Sequence, residues 1–174
     1  MTSTNAGARI SAILGTAVFF VLAPGTVVVL IPWWISHWRV HASFPGLTPL
    51  RIAGALFVAA GAAVVLDSFA RFAWHGLGTP APIYPPRHLV VKGFYRFVRN
   101  PMYVSILLIL IGQALLFADA HLLIYALGAW LAAHLFVVFY EEPTLRRSFP
   151  GDYAQFTAHV PRWIPRISPW KNGA

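Results

Sequence analysis

The chain has 174 residues, of which 58% are hydrophobic and only 10% charged, and its mean hydropathy is +0.66. A soluble domain carries about a quarter charged residues, so this composition excludes one and points to an integral membrane protein. The absence of cysteine excludes disulfides and thiolate metal sites, and the net charge of +8 gathers near the ends of apolar segments instead of forming the basic stripe of a nucleic-acid binder.

The first apolar stretch runs from about Ile10 to Ile31, with a kink predicted at Pro24-Gly25. Its apolar run is too long for a secretory signal, only Arg9 leads it, and no clear small-x-small cleavage pattern precedes Pro32, so a retained helix is expected. His37 and His41 follow at i, i+4 beside a Trp-rich segment end, with no carboxylate close in sequence. They read as interfacial polar residues, and no metal site is expected.

The second stretch, about Ile52 to Phe72, contains Asp67 one turn before Arg71. An i, i+4 ion pair accounts for Asp67. Intramembrane acids are also functional suspects, which keeps substrate contact as its second reading. The segment from Gly76 to Pro86 is too rich in Pro and Gly to continue a helix. It reads either as a linker or as the wall or lid of a site.

The third stretch, about Pro101 to Phe117, and the fourth, about Leu122 to Tyr140, are joined only by Ala118-Asp119-Ala120-His121. At about 1.5 Å per residue each stretch crosses most of a hydrocarbon core of roughly 30 Å. The tail from Pro150 onward reads as a short amphipathic helix with Tyr153, Phe156 and Val160 on one side, and Trp163 and Trp170 beyond it suit a membrane interface. The predicted fold is therefore all-α: about four transmembrane helices, a C-terminal helical hairpin and an amphipathic tail helix. An N-terminal two-helix region (1–75) precedes a C-terminal region (76–174) that carries the site. Most Lys and Arg lie between 76 and 99 and after Glu142, so the positive-inside rule places these segments and both termini in the cytoplasm.

The hairpin returns two polar groups to one face of the bilayer. One is Gly93-Phe94-Tyr95-Arg96-Phe97-Val98-Arg99-Asn100-Pro101-Met102-Tyr103 and the other is Glu141-Glu142. Asn100-Pro101 is a helix start by residue type, and its free N–H groups and positive dipole end also suit a carboxylate ligand. Arg99 beside it adds a charge-assisted bond to such a ligand or anchors to lipid phosphate. Two acids at a helix C-terminus gain nothing from the dipole. Glu142 is either solvated or paired with Arg146 at i, i+4. Glu141, on a different face, suits ribose hydroxyls or an ammonium group. Tyr95 and Tyr103 stack on a base, bond a ligand, or serve only as interfacial aromatics.

The ordered set Gly93-x-Tyr95-x-x-x-Arg99-Asn100-Pro101-Met102-Tyr103, a hydrophobic hairpin, Glu141-Glu142, Phe149-x-Gly-Asp-Tyr153 and Val160-Pro161 resembles the isoprenylcysteine carboxyl methyltransferase family. It resembles the bacterial branch most, and phospholipid methyltransferases more distantly. The resemblance covers roughly Thr79 to Pro165 and implies an S-adenosylmethionine-dependent methyltransferase of a bacterial inner membrane, with a cytoplasmic cofactor site and a lipophilic or lipid-linked acceptor.

Carried over by position, the backbone of Arg87, His88, Leu89 and Val90 lines the cofactor site. Tyr95, Asn100, Pro101, Met102 and Tyr103 contact the cofactor, and Glu141 is its binding carboxylate. Asn100 stands where the eukaryotic enzymes have His, and it keeps capping and hydrogen-bonding capacity. Val137 stands where they have an Arg suited to a substrate carboxylate, so that substrate does not carry over. No catalytic base is assigned. The rival readings are an NADPH-dependent membrane reductase of related architecture and a small four-helix transporter or lipid-binding protein.

Overall fold

A computed structural model of the chain describes residues 15, 17–18, 20–40, 47–75, 89 and 91–171, with the backbone alone for 71–75. Its long elements are helices α1 (Phe20–Ser36), α2 (Thr48–His75), α3 (Pro101–Phe117), α4 (Ala120–Ser148) and the short α5 (Pro150–His159). All four apolar stretches are helical where they are described, and the predicted bounds of α3 match. The protein is an all-α membrane protein. Leu123, Ile124, Leu127, Leu131, Leu135 and Phe139 stand exposed along α4, an apolar face that lipid solvates and water does not.

Helix α1 differs from expectation in two respects. Its backbone stays helical at Gly25 and its irregularity falls just beyond, in a π-turn over Thr26–Leu30. The helix also runs past Ile31 and through Pro32 to Ser36. The physical cause is shared. The Ile31 N–H reaches back to the Thr26 carbonyl, and Pro32 brings no N–H to continue the ladder. Neighbouring helices satisfy the carbonyls left over: Tyr125 Oη donates to Val27 O at 2.9 Å and Gln113 Nε2 to Val28 O at 2.7 Å. In a bilayer, backbone groups freed this way need such partners.

Helix α4 repeats the device. Its π-turn spans Val137–Glu141, the Glu142 N–H reaches the Val137 carbonyl, and Pro143 follows. The fourth span therefore continues beyond Tyr140 as one bent helix to Ser148.

Helices α2 and α3 pack closest, through small residues. A Cβ on Gly54 would stand 2.6 Å from the Gly112 carbonyl oxygen, one on Gly112 would stand 2.7 Å from that of Gly54, and one on Gly61 would stand 2.7 Å from that of Ser105. The seven-residue spacing on both helices gives an antiparallel small-residue seam, the usual route to close backbone approach in membranes. Gly54→Leu or Gly112→Leu should cost about 1–3 kcal/mol by overpacking, read as a lowered melting temperature in detergent. Gly128→Leu should not, since a Cβ there meets nothing within 4 Å among the described residues.

Candidate functional site

Three segments converge where α3 begins and α4 ends. The first is the run into α3. Gly93 takes a left-handed φ of 57°, a conformation glycine adopts without penalty, and opens a 3-10 turn over Gly93–Arg96. The second is the π-turn of α4, which delivers Glu141 and Glu142. The third is the C-terminal strap, residues 160–171, which follows α5.

Backbone bonds fasten the strap to the first segment. Arg99 N–H donates to Pro161 O at 2.9 Å, Arg166 N–H to Phe97 O at 2.9 Å and Trp170 N–H to Arg96 O at 2.9 Å. Arg96 Nε returns a bond to Trp170 O at 2.7 Å. Beneath lies a small core of Tyr153, Phe156, Val160 and Trp170, with Leu89, Val91, Leu145 and Phe149 packed on it. Trp170 therefore fills protein interior in place of the expected membrane interface.

Glu142 is buried and is neither solvated nor paired with Arg146, which stands exposed. Arg162 grips it from 20 residues away, Nε to Oε1 at 2.6 Å and Nη2 to Oε2 at 3.0 Å. Arg99 Nη1 lies 3.1 Å from the same Oε1. The hydrogen bond to Glu142 comes first among the causes that hold the Arg162 guanidinium charged. Burial first, and the charge of Glu142 second, push the Tyr153 phenol up, with Arg99 opposing. Glu142 is thus a structural anchor that ties strap, α3 and α4 together.

Glu141 faces the hairpin. Tyr103 Oη donates to its Oε2 at 3.2 Å, across 38 residues of sequence. Tyr95 is close by: burial, and then the Glu141 charge, raise its phenol well above the ordinary value. Tyr95, Tyr103 and Glu141 therefore meet as the sequence motif suggested.

Asn100 begins α3 but makes no side-chain cap. Its Nδ2 donates to Arg162 O at 3.1 Å, and the first-turn N–H groups of α3 receive no side-chain cap from it. Pro101 is fully buried. Met102 packs toward α1 and α2, against the cluster of Val65, Phe69 and Ile109. Leu89 belongs to the strap core. Asp67 is half-buried in α2 and engaged with its surroundings. Arg87, His88, Val90, His41, the loop 76–86 and the side chain of Arg71 lie outside the described residues.

Sequence reasoning missed three participants. Arg162 was visible only as part of a basic block. Trp163 stands edge-on to Tyr103, with ring centroids 6.5 Å apart at 72°, and its indole N–H reaches His134 Nδ1 at 3.1 Å. His134 itself carried a signal: it is a polar residue in an apolar helix, on the face marked by Trp130, Val137 and Glu141 at helical spacing.

A search of curated proteins finds no match. The family model for phospholipid methyltransferase matches residues 50–152, more than half of the chain. That stretch takes in α2, the run into α3, the whole hairpin and both glutamates, and it stops before the strap. On this match, over the elements that build the site, the chain belongs to the phospholipid methyltransferase family.

Proposed function

We propose that this membrane methyltransferase takes its methyl group from S-adenosylmethionine bound on the cytoplasmic face at Tyr95, Arg99, Asn100, Tyr103 and Glu141, and passes it to a lipophilic acceptor arriving through the bilayer. The observation that carries this reading is the Tyr103–Glu141 bond beside an uncapped helix start. The polar groups left over suit the cofactor. Glu141 Oε1 makes no hydrogen bond among the described residues and suits an ammonium or hydroxyl group. Arg99 Nε is buried without a hydrogen-bond partner among the described residues, and with the first-turn N–H groups of α3 it suits a carboxylate. Tyr103 and Trp163 offer aromatic faces.

When bound, the cofactor supplies an electrophilic sulfonium methyl. The chain's part is to align donor and acceptor and to exclude water. Tyr103 fixes the Glu141 carboxylate, and the Glu142 anchor holds the strap over the site. Val137, wholly buried, presents no charge to an acceptor carboxylate.

Purified protein in lipid nanodiscs, given S-adenosylmethionine tritiated on its methyl group and a total membrane lipid extract, should move label into the organic phase. Glu141→Gln should lose this transfer. Label that stays in the aqueous phase with folded wild type, across lipid extracts of several compositions, would contradict the proposal.

A further inference from the structure

The ring of His134 is held in one tautomer. Indole N–H is a donor only, so His134 Nδ1, 3.1 Å from Trp163 Nε1, must be the acceptor. The neutral imidazole then carries its proton on Nε2. That N–H has no protein partner among the described residues, and the ring is only half-buried, between Trp130 at 5.3 Å and Trp163 at 5.7 Å between centroids. His134 lies seven residues before Glu141, about 10 Å deeper along α4 at about 1.5 Å per residue. Trp163 bridges the two places, touching His134 on one side and Tyr103 on the other. A polar hydrogen pointed out of a membrane helix without a partner is costly unless something takes it.

We propose that His134, fixed by Trp163, binds the polar end of the lipophilic acceptor, donating Nε2–H to an anionic oxygen (phosphate or carboxylate) at the membrane side of the methyl-transfer site. The inference rests on the methyltransferase reading above. Arg162 and Trp163 are then positioning residues: the Arg162–Glu142 bridge seats the strap, the strap seats the indole, and the indole sets the tautomer. This extends the site beyond the stretch matched by the family model.

Two conservative substitutions separate this role from that of a mere strap anchor. Asn reaches only as far as Nδ1, so His134→Asn keeps an acceptor for Trp163 and removes the outer donor. Gln reaches as far as Nε2, so His134→Gln keeps the outer donor and gives up the bond to Trp163. The probes are dioleoylphosphatidylethanolamine for a phosphate oxygen and N-oleoylglycine for a carboxylate, each titrated into protein in maltoside micelles and followed by native mass spectrometry.

At least one probe should bind wild type and His134→Gln within about threefold of each other and His134→Asn more weakly by about tenfold or more, the loss of one hydrogen bond to a charged group. Which probe shows this order identifies the oxygen. Retention by Asn with loss by Gln would make His134 an anchor only and overturn the proposal. Equal affinities across all three proteins would do the same, as would no binding of either probe to wild type. S-adenosylhomocysteine, titrated in the same samples, should bind all three alike. If wild type fails to take it, the methyltransferase reading falls and this inference with it. If it binds while lipid affinity ignores His134, only the inference falls.

Discussion

Glu142→Ala should destabilise the protein strongly. It removes the carboxylate that Arg162 holds with two bonds and that Arg99 touches at 3.1 Å. Two guanidinium groups, one of them Arg99 with its side chain 13% exposed, would be left without their counter-charge. Breaking a buried pair from one side costs about 3–5 kcal/mol, part of which the more exposed Arg162 recovers from water. The expected readouts are a markedly lower melting temperature in detergent and proteolytic cleavage within the strap between Ile164 and Pro169, sites resistant in wild type. Arg146→Ala should change neither, because Arg146 is not the partner of Glu142. An intact strap in Glu142→Ala would show that the backbone bonds from Arg96, Phe97 and Arg99 hold it unaided.

Glu141→Gln should have the opposite profile, with a preserved fold and lost ligand affinity. Its only hydrogen bond among the described residues comes from Tyr103, and a glutamine oxygen still accepts it. What disappears is the negative charge that the proposed site would offer to the cofactor. A charge-assisted bond is worth about 1.5–3 kcal/mol, so affinity for S-adenosylhomocysteine should fall about 10- to 150-fold while the melting temperature stays within a degree or two of wild type. Tyr103→Phe should weaken binding less, since it frees Glu141 without discharging it. Equal affinity in wild type and Glu141→Gln would remove Glu141 from the cofactor site.

Local signals in the sequence reach as far as local physics does. The Asn100-Pro101 start and the stop at Ala118-Asp119 gave α3 its bounds, and Tyr153, Phe156 and Val160 at helical spacing gave the buried side of the tail. The continuation of α1 through Pro32 was not legible, because the freed carbonyls of Val27 and Val28 find their partners in Tyr125 and Gln113, 98 and 85 residues away. The fate of Glu142 was misread for the same reason: Arg146 is one turn away in sequence, but the π-turn and the strap bring Arg162 instead. The meeting of Tyr103 with Glu141 was legible, because a short connector forces the two ends of a hairpin together. Helix-capping preference pointed to the right start at Asn100 but to the wrong use of its side chain, which donates through Nδ2 to the Arg162 carbonyl of the strap and makes no cap. Family membership favours the methyltransferase over the reductase and the transporter.

A cofactor bound in the polar corner between α3, α4 and the strap would be detected as heat of binding. Calorimetric titration of S-adenosylhomocysteine into wild-type protein in lipid nanodiscs tests for it most directly. The expected result is saturable binding at one site per chain with micromolar affinity, weakened in Glu141→Gln at unchanged thermal stability. No binding heat from folded wild type, in nanodiscs and in detergent alike, would contradict it.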